Sequence, residues 1–143
     1  MDVSELRKGI LRALEDARKD AANRRSDTDK AAAAYERFLN DVAVPLFRQA
    51  ATVLRAEGQP FTVNTPAGSV RLISDHGAHD FLELELDSSG PQPQVIGRIS
   101  LMRGRHGLVV EERPLAAGKA IEALTEDDVS QFLLAEIRKF VTR

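Results

Sequence analysis

The chain has no cysteine and no tryptophan, and its aromatic content is one tyrosine and six phenylalanines. Without cysteine it has no disulfides, no thiolate metal site and no cysteine nucleophile. With so few flat rings it lacks the stacking platforms that sugar and single-stranded nucleic-acid sites rely on, and its core must be largely aliphatic. Charge of one sign is also missing. Twenty basic against twenty-two acidic residues leave a formal charge of -2, so no global field gathers phosphate backbones or anionic lipid. No apolar run approaches the ~20 residues of a membrane span, and the opening residues 1–9 are charged with no apolar leader region, so a cytoplasmic protein is expected. Glycine-rich phosphate loops, a nucleophile elbow and helix-borne metal-protease motifs are absent as well.

Glycine and proline are scarce early in the chain: Gly9 and Pro45 are their sole representatives before Gly58. Val3, Leu6, Ile10, Ala13 and Ala17, with Leu14 beside them, recur at helical spacing and predict an apolar stripe, of which Val3, Leu6, Ile10, Leu14 and Ala17 are the candidate interaction residues. Residues 20–30 bury almost nothing, and Ser26 with Asp29 resembles a capping box, so a second helix could start there. Tyr35, Leu39, Val42, Leu46 and Val53 resume the stripe, widened by Phe38, Phe47, Ala50 and Leu54. Pro45 predicts a kink or restart near residues 41–44, and Gly58 a helix stop. Either one kinked helix or a helical hairpin folded through residues 21–30 satisfies this pattern. The length fits one domain, giving a helical arm over 1–30, a possible self-association segment, and a single α+β domain over 31–143.

After Gly58 the pattern turns to strands. Residues 61–65 and 69–74 flank Pro66-Ala67-Gly68, a hairpin turn by composition. From Asp80 to Asp87, Leu82, Leu84 and Leu86 alternate with Phe81, Glu83 and Glu85, giving a leucine face and an acidic face. Residues 95–102 and 108–112 complete an antiparallel meander of about five strands, its connections being too short for parallel crossovers. Thr125 and Asp128 form a capping box, and Glu126, Asp127 and Asp128 suit the positive helix end without any metal. Val129, Phe132, Leu133, Ile137, Phe140 and Val141 then predict a helix packed on the sheet, with Arg138, Lys139 and Arg143 near its negative end.

Two turns carry candidate chemistry. Asp75, His76, His79 and Asp80 are metal-ligand types, and a small metal-dependent enzyme could centre on His76 and His79. The histidines sit three apart across Gly77 in a turn, however, where Asp, Gly and His also serve as turn formers. Arg103, Arg105 and His106, with Arg98 in the adjoining strand, could hold a phosphate or carboxylate. The competing expectation is that Arg98 and Arg113 pair across strands with Glu83, Glu85 or Glu111. Glu83 and Glu85, two residues apart on one strand face, stand ~7 Å from each other, a separation that glycosidase carboxylates also use.

These patterns lead to a non-enzymatic protein-protein interaction or assembly module, of adaptor, chaperone or inhibitor type, with no cofactor. Its expected partner is another protein or its own copy, a homodimer joined through the coiled-coil-like N-terminal helix. The balanced charge argues against nucleic acid. An anion or nucleic-acid module at Arg98, Arg103, Arg105 and His106 is the second reading, and the metal-dependent enzyme the third.

Overall fold

A computed structural model describes residues 2–141 of the chain. Helix α1 runs unbroken from Val3 to Phe38, passes through a π-helical turn at Leu39–Ala43 and continues as α2, Val44–Ala56. One continuous helix with a π-helical turn, not a hairpin, therefore forms the N-terminal part of the fold. Ser26 does not open a new helix, because no glycine or proline between Ile10 and Val44 interrupts the backbone ladder, and an uninterrupted ladder leaves no orphan amides for Ser26 to cap. The π-helical turn lies where Pro45 enters. Proline cannot donate to the preceding turn and its ring crowds the carbonyl four residues back, and the wider turn at Leu39–Ala43, where Val44 N–H bonds Leu39 O, accommodates it. Gly58 ends α2 as expected, at φ +80°, with Gly58 N–H bonding Arg55 O and Gln59 N–H bonding Leu54 O at 2.8 Å.

Strands β1 (Phe61–Asn64), β2 (Ser69–Ser74), β3 (Phe81–Asp87), β4 (Gln94–Met102) and β5 (Leu108–Pro114) form one antiparallel sheet in chain order. Helix α3, Glu126–Glu136, and the short α4, Arg138–Val141, close the fold; Arg143 lies outside the described residues. The capping box forms as expected, with Thr125 N–H donating to Asp128 Oδ2 at 2.8 Å. Lys119 in the preceding loop also holds Asp128, and chiefly through it the Asp128 carboxyl titrates below its ordinary value.

The core lies between one sheet face and the helices. Val70, Leu72, Leu82, Leu84 and Ile99 are buried there against Tyr35, Phe38, Phe47, Val129 and Phe132. Gly97 faces the same side, where its missing side chain makes room for the Phe132 ring. Phe140 meets Phe61 edge to face at 6.1 Å. Val53 is 62% exposed, against the expected burial, and with Leu134 it rims a shallow groove of about 390 Å³ between α2 and α3. No helix among the described residues is long and apolar enough to cross a membrane.

Candidate interaction surface

Helix α1 is held to the body only by its last turns. Its buried residues are Ala34, Tyr35 and Phe38, and residues 2–30 are exposed apart from a half-buried Ala21. The root is pinned by Tyr35, whose hydroxyl donates to Gly68 O at 2.6 Å in the β1–β2 turn. Burial first, then the charges of Glu85 and Glu83, push that phenol's titration well above the usual tyrosine range. Beyond the root, residues 3–30 run for ~40 Å of helix at 1.5 Å per residue, exposed apart from Ala21.

Along this arm Val3, Leu6, Ile10, Leu14, Ala17 and Ala21 fall within ~80° of arc, taking ~100° per residue. Val3 is 80%, Leu6 49%, Ile10 51% and Leu14 48% exposed. A solvent-facing helix needs no such stripe, since polar side chains serve there equally well. Asp2 caps the helix start, accepting from Ser4 N–H at 3.2 Å, and Glu15 and Lys19 pair on the face opposite the stripe.

The other sequence candidates have structural partners. On the sheet face away from the helices, the register places Asn64, Arg71, Glu83, Arg98 and Glu112 side by side across all five strands. Glu83 is 1% exposed, its two oxygens held by Arg71 and Arg98. Arg98 also donates to Glu85 at 2.7 Å and to Glu112 at 2.9 Å. The acidic face expected on β3 is thus an ion-pair ladder with Glu83 buried at its centre, and the Glu83–Glu85 pair is occupied by one shared arginine. Glu85 chiefly raises the Arg98 pKa above its ordinary value, with Glu112 and Glu83 adding to it. Arg103, Arg105 and His106 are exposed in the β4–β5 turn, ~16 Å along the strand from Arg98 at 3.3 Å per residue. The structure does not bring these four residues into one anion site.

Arg113 departs from its expected cross-strand pairing. Its register partner is Gly97, so it points to the helix side, donates to Glu136 at 3.0 Å and stacks on Phe132. Glu136 is buried, and Lys139 Nζ approaches its second oxygen at 2.7 Å as a charge contact without hydrogen-bond geometry.

In the β2–β3 turn Asp75 accepts from Thr62 at 2.6 Å and pairs with Arg55, while Asp80 accepts from Met102 N–H at 2.7 Å. Both carboxylates tie loops to strands, and His76 and His79 are exposed. Among the described residues no three His, Asp or Glu side chains gather as a metal site.

Comparison with known proteins returns no match to a family model, to a curated protein or to a solved structure. The functional reading therefore rests on the geometry of this chain. Sequence periodicity had singled out Val3 to Ala17; Ala21, one further turn along, belongs to the same seam.

Proposed function

We propose that this protein is a non-enzymatic assembly module that self-associates through the N-terminal arm. The observation that carries this reading is the apolar seam from Val3 to Ala21 on a helix segment that is exposed, Ala21 apart, among the described residues. An alanine-weighted helix of this kind gains little stability alone in water, and a copy of itself supplies the missing surface. Burying the eight large side chains of two arms gives on the order of 10 kcal/mol gross at ~1.5–3 kcal/mol for each full burial, since all but Val3 are already about half covered. Association costs of ~4–15 kcal/mol stand against that gain. The assembly is accordingly reversible and depends on concentration.

The test is the double change Leu6→Glu with Ile10→Glu. Leu6 and Ile10 belong to no part of the buried core, so the fold should keep its thermal midpoint while the associated species disappears. Unchanged association would remove the arm from the interface. The anion-binding reading is less well supported, because Arg98 is already engaged by three carboxylates.

A further inference from the structure

The seam is flanked by charges of opposite sign. Measured from its centre, Arg7, Arg18 and Arg25 stand ~60–80° to one side, with Asp29 as the one acid ~100° round on that side, and Asp2, Asp20 and Asp27 stand ~80–100° to the other, at ~100° per residue. Among the described residues, Arg7, Arg18, Asp20, Arg25 and Asp27 enter no ion pair within the chain. When two copies of such a helix face each other, the direction of pairing decides which flanks meet. In a parallel pair the left flank of one lies against the right flank of the other, the e and g relationship of coiled coils, with a stagger of about five residues. Asp20 and Arg25 have that separation.

An antiparallel pair is matched by the apolar residues alone, because Val3, Leu6, Ile10, Leu14 and Ala17 are spaced symmetrically about Ile10. It would, however, set arginine flank against arginine flank and bring Asp2 beside Asp20 of the other copy. Like charges across a seam oppose pairing. Resting on the self-association reading above, we infer that the occupant of the arm's seam is a second copy of this chain lying parallel and in register. Asp20 then faces Arg25 of the other copy twice. The seam ends at Ala21, because Arg24 enters its arc one turn later.

The absence of native cysteine gives a direct test. A full-length chain carrying Ala17→Cys should form a disulfide-linked dimer on mild oxidation, since position 17 meets its own copy. In an antiparallel pair centred on Ile10 the two sites would lie ~21 Å apart along the axis, far beyond the ~7 Å limit for bridging. A linked dimer at position 17 supports the parallel arrangement. Association with no link at 17, accompanied by linking between Val3→Cys and Ala17→Cys chains, would overturn it while leaving self-association standing. A monomer at every concentration would overturn both.

Charge reversal supplies an independent arm of the test. Asp20→Arg and Arg25→Asp should each weaken self-association about tenfold, from small contributions per exposed pair counted twice. Mixing the two variants should restore it, because every cross-copy contact is then attractive. Failure of the mixture to associate better than either variant alone would contradict the proposed register.

Discussion

The ring of Phe132 occupies the space that a side chain on Gly97 would need: a Cβ there would lie 2.8 Å from Phe132 Cζ and closer still to Cε1. This single absence lets α3 settle onto β4. Gly97→Ala is therefore expected to destabilise the fold by ~1–3 kcal/mol through overpacking, measured as a lower urea midpoint. Adding Phe132→Leu should recover part of the loss; an alanine variant as stable as the parent would refute the close approach.

Glu83 should be the most costly carboxylate to remove. Glu83→Ala leaves the partly exposed Arg71 and Arg98 facing each other, with Arg98 still held by Glu85 and Glu112, at an expected cost of ~2–3 kcal/mol, toward the low end for a broken buried pair. Because Glu83 is shielded from solvent, the loss should persist in high salt, unlike that of an exposed pair. Urea unfolding at low and high ionic strength distinguishes the two behaviours.

How much of this was legible in the sequence depended on whether the cause was local. The leucine alternation of β3, the Thr125–Asp128 cap, the Gly58 stop and the bounds of β2 are local, and each formed as read. The continuity of α1 was not legible, because Ser26 and Asp29 have a cap's chemistry and only the unbroken ladder on both sides denies them that role. The burial of Glu83 depends on two arginines from neighbouring strands, and the side taken by Arg113 depends on its pairing with Gly97. Exposure of Val53 depends on how far α3 reaches across α2. None of these relationships leaves a periodic trace in one strand or helix.

Tyr35 fixes the arm's root, so Tyr35→Phe should cost ~1 kcal/mol for the lost hydrogen bond to Gly68 O. Its raised titration also gives a pH dependence with a defined sign. The folded state keeps the phenol protonated where the unfolded chain has begun to ionise, so stability falls as pH rises past the ordinary value of about 10. Tyr35→Phe should flatten that alkaline decline. An equal decline in the variant would show that another group is responsible.

At the acid end Asp128 has the opposite sign. Its lowered pKa, caused first by Lys119 and then by the Thr125 hydrogen bonds against opposing desolvation, contributes stability above the ordinary aspartate value of about 3.9. That contribution is lost as pH falls through the folded-state value. Thr125→Ala should cost ~1 kcal/mol near neutrality by removing the cap. Thermal melts from neutral to acid pH, with Asp128→Asn as reference, check the direction.

The central claim, that the exposed seam of α1 joins two copies of the chain, is tested most directly by solution mass across a concentration series of the unaltered protein. The mass should rise from that of one 15.7 kDa chain toward twice that value and level off there. A mass that stays at one chain at every concentration would contradict the account.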